Sequence, residues 1–265
     1  MRRYEEEEPV FVACSTLCFA REPLEVALRQ IAELEFDKFE LAVVEDGQHL
    51  RPSEVGDDPE AALLRLRRGP ALIPSSLYLD FGPVDWSNPI HRKRFDGHCR
   101  FAKVLNVAVI TLTAAPAGSS VDQEVERLKG LSATAMREGL VLAMLTHRDS
   151  ILADPNVALQ VCKAVPGLGL TLDPSHYLHG AHKEADVDLL YPYVKNIHLR
   201  DTGKHPGEFQ VRIGQGQIEY ARIVNQLQRY GYNRALTVAI LDRLENPFDR
   251  EVEVRKLKLL LETLL

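Results

Sequence analysis

The sequence has little that would indicate a membrane protein, a secreted protein or a nucleic-acid-binding protein. No apolar run approaches the roughly 20 residues that a bilayer-spanning helix needs. The segment from Met1 to Glu8 is acidic, whereas an export signal is basic and then apolar. A net charge of −6 disfavours nucleic acid and anionic lipid as partners. We therefore expect a cytoplasmic protein with no membrane or nucleic-acid partner and with a disordered acidic tail over residues 1–8.

Cysteine is also scarce, with only four in the chain: Cys14, Cys18, Cys99 and Cys162. Without an export signal they are expected to be reduced thiols. Cys14 and Cys18 lie four residues apart in a strand-like run and so share a face. That spacing allows a metal-binding pair, but small buried core residues are the more common use of free cysteine.

What the sequence does contain is a regular alternation of short apolar runs with amphipathic helical segments. The expected strands cover residues 10–19, 38–43, 72–79, 107–113, 140–146, 168–172, 194–199 and 235–241. Strands that alternate with helices indicate parallel pairing, and eight such repeats in 265 residues predict one domain, 1–265, folded as a (β/α)₈ TIM barrel. An open doubly wound sheet is the alternative, disfavoured because Cys18-Phe19-Ala20-Arg21 stands where a glycine-rich phosphate loop would follow the first strand.

In such a barrel the active site is built at the C-terminal ends of the strands. The sixth expected strand leads into Asp173 and His176, and the seventh contains His198. Carboxylate and imidazole groups together suit a divalent ion such as Mn²⁺, Co²⁺, Mg²⁺ or Zn²⁺, so these three residues are the candidate metal ligands. In the alternative interpretation, Asp173 caps the turn at Pro174 and the histidines form local hydrogen bonds.

The segment after the seventh strand, residues 202–216, is long and rich in glycine. Gln210 and Arg212 lie two residues apart and could point the same way, and Arg212 could then hold an anionic group such as a sugar phosphate. We expect Gln210, Arg212 and His176 to contact substrate. The alternative is an ordinary flexible loop with one solvated arginine.

Four motifs, in order along most of the chain, resemble the xylose-isomerase-like barrel superfamily of sugar isomerases, epimerases and endonuclease IV-type enzymes. They are Leu28–Leu41, Leu172–His176 (Leu-Asp-Pro-Ser-His), His198–Asp201 (His-Leu-Arg-Asp) and Ile213–Ile218 (Ile-Gly-Gln-Gly-Gln-Ile). No single motif is very specific, and the resemblance depends on the combination of the last three.

The resemblance implies a divalent metal at the barrel mouth and proton transfer between adjacent carbons of a sugar or sugar phosphate. The family's metal is typically held by a Glu, an Asp, a His and a Glu from strands five to eight. Asp173 and His198 match the middle two, and His176 matches a histidine that contacts substrate or, in the nuclease branch, a second metal. The chain departs from the pattern at Leu145 and Ala239, where the two glutamates are expected.

Two explanations of this departure compete. In the first, nearby groups replace the glutamates, and His147, Asp242 and Glu40 are the candidates for catalysis by a metal-dependent isomerase or epimerase. In the second, the chain binds a sugar-like metabolite without turnover. A repair nuclease is a third possibility, which the acidic charge and the small number of ligands disfavour. Barrels of this kind often pair, so a homodimer is the expected assembly.

Overall fold

The computed structural model describes residues 10–243, 246 and 248–265. Eight parallel strands form a closed barrel in sequence order. The strands are β1 Phe11–Ser15, β2 Lys38–Val44, β3 Ile73–Asp80, β4 Val109–Thr113, β5 Val141–Leu145, β6 Gly169–Leu172, β7 Val194–Leu199 and β8 Ala235–Val238. Closure is direct, because β8 pairs with β1 from Phe11 opposite Ala235 to Cys14 opposite Val238. The predicted TIM barrel is confirmed, and the doubly wound alternative is wrong.

Helices between the strands surround the barrel. The α-helices of the described residues are α1 Leu24–Glu33, α2 Pro52–Asp57, α3 Pro59–Leu66, α4 Pro89–Val104, α5 Val121–Arg137, α6 Pro155–Ala164, α7 Pro174–Leu178, α8 Tyr220–Arg229 and α9 Arg250–Glu262. Several begin where the sequence supplies a capping oxygen: Asn88, Ser120, Asp154 and Asp249 each accept a backbone N–H of the following turn.

The apolar spacing of the sequence predicts single helices over residues 52–66 and 183–191, and the structure differs at both. The first is divided at Asp58, because a residue that precedes a proline disfavours the helical conformation. Over the second the chain forms turns and then a 3₁₀ helix, Asp188–Tyr193.

The four cysteines are free and buried, as the core interpretation predicted. They belong to one continuous apolar core between the barrel wall and the helices. The barrel interior is different, since Ser15, Ser76, Thr111, Thr171 and Thr237 are all buried there with polar side chains. None of the helices in the described parts of the chain has both the length and the apolarity of a membrane span.

The buried histidine of α4 makes folding sensitive to acid. His98 is 0% exposed, its Nδ1 lies 2.7 Å from the carbonyl oxygen of Arg94, and burial lowers its pKa to about 4. The folded protein therefore keeps this imidazole neutral at a pH where the unfolded chain, with an ordinary pKa near 6.5, binds a proton. The stabilisation is complete above pH 6.5 and is lost as the pH falls towards 4.

We predict that His98→Gln, which cannot titrate, reduces the loss of unfolding free energy between pH 6.5 and pH 4 by about 3 kcal/mol. Urea unfolding at a series of pH values measures this dependence. The matched control is His205→Gln at an exposed position, which should leave it unchanged. Equal pH dependence in the wild type and His98→Gln would contradict the prediction.

Candidate functional site

Strand β7 places three polar side chains in a row on the inside of the barrel. Asn196, His198 and Arg200 alternate along the strand and its C-terminal end, so they point inward together. All three are buried. The site is built around the partners that these residues find on the facing strands.

Glu40, on β2, is the centre of a buried polar network. Its carboxylate accepts hydrogen bonds from Ser15 Oγ at 2.9 Å, Ser76 Oγ at 3.0 Å and Asn196 Nδ2 at 2.8 Å. The Nε2 of His198 lies 2.8 and 3.0 Å from its two oxygens. Burial raises the pKa of Glu40, but His198 and the two serines outweigh it, so the pKa lies below its usual value. Glu40 is thus held as an anion within the barrel.

Asp173 follows β6 and is the N-cap of α7. One of its carboxylate oxygens accepts hydrogen bonds from the backbone N–H and the hydroxyl of Ser175. The other oxygen lies 2.8 Å from Nη1 of Arg200 as an ion pair, and it has no hydrogen-bond partner among the described residues. Burial raises the pKa of Asp173, but Arg200, the neighbouring histidines and the Ser175 hydrogen bond together outweigh burial and bring the pKa below its ordinary value. The expected turn cap is therefore present, together with an ion pair that the sequence analysis did not foresee.

Arg200 is the cation of the site, and it is fixed from several sides. Its Nε donates to the carbonyl oxygen of Ala239 at 2.7 Å, and its Nη1 donates to Ser175 Oγ at 2.9 Å. Its guanidinium lies 5.2 Å from the ring centre of Phe209. Because arginine remains protonated in proteins, Arg200 places a permanent positive charge against Asp173.

The two positions where glutamates were expected are apolar and packed. Leu145 is buried against Ala42 and Tyr78, with Leu17 and Val44 beside this group. Ala239 is fully buried and contributes its backbone carbonyl to Arg200. Neither side chain can bind a metal ion or carry a proton.

Two histidines at the mouth pack against each other with their rings tilted by 49°. The rings of His147 and His176 lie 4.1 Å apart, and His176 lies 4.9 Å from Phe209. Burial lowers the pKa of His176 to about 3 and also lowers the pKa of His147. His176 is therefore neutral at physiological pH, and its buried Nδ1 has no hydrogen-bond partner among the described residues.

Gln210 and Arg212, two of the other predicted residues, line the same open cavity, which Asp242 does not line. Asp242 forms ion pairs with Arg21 at 2.8 Å and with Arg250 at 2.7 Å. Gln210 uses its amide to join residues 202–216 to the end of β8, through Leu241 and Asn246. Arg212 lines an open cavity beside Phe209. The roles of Glu40, His147, Asp242, Gln210 and Arg212 stay predictions.

The glycine-rich segment is ordered by one carboxylate. Asp201 accepts N–H hydrogen bonds from Thr202, Gly214, Gly216 and Ile218. A Cβ at Gly216 would overlap with the carboxylate of Asp201, so only glycine fits there. The glycines thus allow the backbone to wrap Asp201, rather than leaving a free flexible loop.

These contacts decide whether the described residues fit a divalent metal. Asp173 is paired with Arg200, Nε2 of His198 faces Glu40, and both glutamate positions are apolar. No group of three or more His, Cys, Asp or Glu residues in the described ranges is arranged to hold an ion. A resident guanidinium also repels a divalent cation. The set does not fit the metal that the resemblance implies.

Sequence reasoning missed Arg200 and Phe209 as members of the site. The period-two spacing of Asn196, His198 and Arg200 was available as a signal that Arg200 points inward with His198. Phe209 had no such signal, since its position depends on how residues 202–216 fold over the mouth.

Comparison with known proteins agrees with this architecture. A family model described as a xylose isomerase-like TIM barrel matches residues 28–260. The chain belongs to this family. No curated protein matches the sequence.

Solved structures of the xylose isomerase-like barrel family resemble the chain over nearly its whole length. One is a Mycobacterium smegmatis protein of this family in complex with magnesium (TM-score 0.74, 15% identity, covering 100% of this chain and 98% of that one). Another is a D-tagatose 3-epimerase-like protein (0.70, 20%, 96% and 98%). A third is the IOLI protein with a bound zinc atom (0.69, 18%, 97% and 96%). At such identities the likeness shows the fold, while the bound magnesium and zinc belong to those two proteins.

We predict that Arg200→Met lowers the free energy of unfolding by about 3–5 kcal/mol, because it leaves Asp173 as a buried, unpaired carboxylate. The control is Arg222→Met, which removes a half-exposed partner of Asp188 and should cost less than about 1 kcal/mol. Urea unfolding measures both variants. A double-mutant cycle with Asp173→Asn should show strong coupling; additive effects of the two substitutions would contradict the ion pair.

Proposed function

We propose that this chain is a metal-independent member of the xylose isomerase-like family that binds a small sugar-like metabolite and does not perform the family's metal-assisted proton transfer. The single observation that carries the proposal is the buried ion pair of Arg200 with Asp173, both nearly unexposed and 2.8 Å apart. Asp173 is the carboxylate most suited to a metal, and it is already paired with the guanidinium of Arg200.

The chemistry of the surrounding residues supports the same conclusion. Moving a proton between adjacent carbons needs an acid and a base beside the substrate. The two positions that would supply them by resemblance are Leu145 and Ala239. Glu40, the buried carboxylate nearest to His198, already accepts hydrogen bonds from two serines and an asparagine as well. These contacts make Glu40 a fixed structural anion, because every proton transfer to it would disrupt the network.

The second candidate is a metal-assisted isomerase or epimerase. Asp173 and His198 at neighbouring strand ends favour it, as does the likeness to an epimerase-like structure and an L-ribulose 3-epimerase. For this candidate, Arg200 would have to leave Asp173 when a metal enters. Cytoplasmic location and a homodimer remain predictions under either candidate.

Metal titration separates the two candidates. We expect chelator-treated protein, titrated calorimetrically with Mn²⁺, Co²⁺, Zn²⁺ and Mg²⁺, to show no tight site. The controls are Asp173→Asn and Asp188→Asn, the latter at a partly exposed carboxylate in a surface ion pair. One tightly bound ion per chain, lost in Asp173→Asn and kept in Asp188→Asn, would overturn the proposal and favour the isomerase.

Rebuilding the missing ligands tests the assignment of the two apolar positions. We predict that Leu145→Glu with Ala239→Glu and Arg200→Gln raises Mn²⁺ affinity over the wild type, because two carboxylates are added and the resident cation is removed. The matched control replaces Leu145, Ala239 and Arg200 all with Gln, which has similar shape without the charge. Equal Mn²⁺ affinity in the two triple variants would mean that Leu145 and Ala239 do not face Asp173.

A further inference from the structure

The end of the barrel opposite the mouth contains a cavity lined by positive charge. It lies at the N-terminal ends of the strands and has a volume of about 260 Å³. Three cationic residues line it: Lys38, Lys195 and Arg234. No aspartate or glutamate belongs to the lining that the described residues provide. The cavity therefore has the composition of an anion site and not of a cation site.

Lys38 enters the cavity from β2. It lies two residues before Glu40, whose side chain points into the barrel, so the two share one face of the strand. The Nζ of Lys38 lies 3.6 Å from the ring centre of Phe11 on the neighbouring strand β1. The ring stabilises the ammonium group by a cation–π interaction, but it carries no net charge that could neutralise the cation.

A β-bulge brings Lys195 to the same cavity. The pairing of β7 with β6 skips Lys195, which is therefore an extra residue between Val194 and Asn196. A bulge of this kind re-aims the side chain of the extra residue. Gly169 on β6 leaves the space for it, because a Cβ at that position would overlap with the Lys195 side chain. The bulge and the glycine together place a cation at this end of the barrel.

The three cations have few partners in the described part of the chain. The side chains of Lys195 and Arg234 form no hydrogen bond or ion pair with another described residue, and Lys38 has its contact with Phe11. All three cationic side chains are half-buried, so solvent screens their mutual repulsion only in part. An anion that enters the cavity would relieve this repulsion.

Two carboxylates of the described residues have to be counted against the three cations. Glu40 lies next to the cavity, since Ser76 and Asn196 line the cavity and donate to its carboxylate. It is fully buried and forms no ion pair with a lysine or arginine of the described residues. Asp37 precedes Lys38 in the sequence and is exposed, so solvent screens its charge. Even with both carboxylates counted in full, one positive charge remains in excess.

We propose that this cavity is a second binding site, which takes a small multivalent oxyanion from solution between Lys38, Lys195 and Arg234. Ammonium and guanidinium groups form charge-assisted hydrogen bonds with phosphate and carboxylate oxygens. The cavity exceeds the roughly 30 Å³ of one water molecule several-fold and is smaller than most sites for drug-sized ligands, which suits an ion of this kind. Because the site lies at the opposite end of the barrel from Asp173, it does not depend on the proposed function.

Calorimetric titration at constant ionic strength tests the site. Phosphate and citrate are the multivalent probes, and nitrate is the monovalent control. We expect at least one multivalent probe to bind saturably, with one anion per chain, and at least about tenfold more tightly than nitrate. The tighter probe shows whether phosphate or carboxylate is the preferred group. No saturable binding of either probe, or binding no tighter than that of nitrate, would overturn the proposal.

Charge variants locate the site. Lys38→Gln and Lys195→Gln should each weaken the anion at least about tenfold, since each removes a charge-assisted hydrogen bond. Lys163→Gln, at an exposed lysine of α6, is the matched control and should leave the affinity unchanged. Arg243→Gln probes the mouth, where Arg243 lies 5.5 Å from the ring centre of Phe209. A loss in Arg243→Gln with none in Lys195→Gln would place the anion at the mouth and contradict the site.

A variant without a change of charge tests the role of the bulge. Gly169→Ala should displace the Lys195 side chain and weaken the anion about as much as Lys195→Gln does. The matched control is Gly130→Ala on α5, where a Cβ would meet nothing within 4 Å. Urea unfolding verifies that both variants are folded. Equal anion affinity in folded Gly169→Ala and Gly130→Ala would show that Lys195 does not hold the anion.

The sequence itself carries carboxylates that could compete with a free anion. The run Glu5–Glu8, outside the described residues, precedes Phe11 by a few positions. Replacing all four of these glutamates with Gln separates the two sources of carboxylate. We expect the free anion to bind both the wild type and this variant. Saturable binding that appears only in the variant would assign the cavity to the chain's own glutamates and would overturn the site for a free anion.

Discussion

The ion pair between Arg200 and Asp173 constrains everything else at the barrel mouth. A buried carboxylate needs a counter-charge, and the xylose isomerase-like resemblance would supply it as a metal ion. Here the counter-charge comes from strand β7 of the same chain, at 2.8 Å. The Nε of Arg200 also donates a hydrogen bond to the backbone carbonyl of Ala239. Because Arg200 balances the charge of Asp173, a glutamate at position 239 is not needed for charge balance.

The second buried carboxylate follows the same rule. The carboxylate of Glu40 has no arginine or lysine beside it in the described network, and it accepts hydrogen bonds from Ser15, Ser76 and Asn196. This network occupies the barrel interior, where apolar side chains commonly pack in TIM barrels. It holds Nε2 of His198 against Glu40, so this nitrogen is not available to bind a metal ion. The sequence keeps two of the family's metal ligands, Asp173 and His198. In the structure Asp173 pairs with Arg200, and His198 faces Glu40.

The fold could be predicted from the sequence because it depends on local signals that repeat. Apolar runs of strand length, alternating with amphipathic helical segments over eight repeats, were sufficient to predict the barrel. The errors were local too: Pro59 divided a helix that apolar spacing alone had suggested. Asp173 and His198 were brought to one mouth, as barrel geometry required.

The state of the site could not be predicted in the same way. Whether Asp173 faces a metal or an arginine depends on contacts between residues that are far apart in the sequence. One example is the hydrogen bond between Ser175 and Arg200, which are 25 residues apart. The position of Phe209 depends on residues 202–216 wrapping Asp201, which is visible only in three dimensions. Leu145 and Ala239 were the one strong signal in the sequence, since an apolar residue cannot bind a cation.

The most direct measurement is nuclear magnetic resonance of the arginine side chains, with the Arg200 Nε–H signal assigned by its absence in Arg200→Gln. Paramagnetic Mn²⁺ broadens signals from groups close to a bound ion. If Arg200 holds the position at Asp173, its Nε–H signal stays sharp in the presence of an equimolar amount of Mn²⁺. Selective broadening or loss of that signal, with the signals of surface arginines unchanged, would show that a metal ion enters beside Asp173 and would contradict the account.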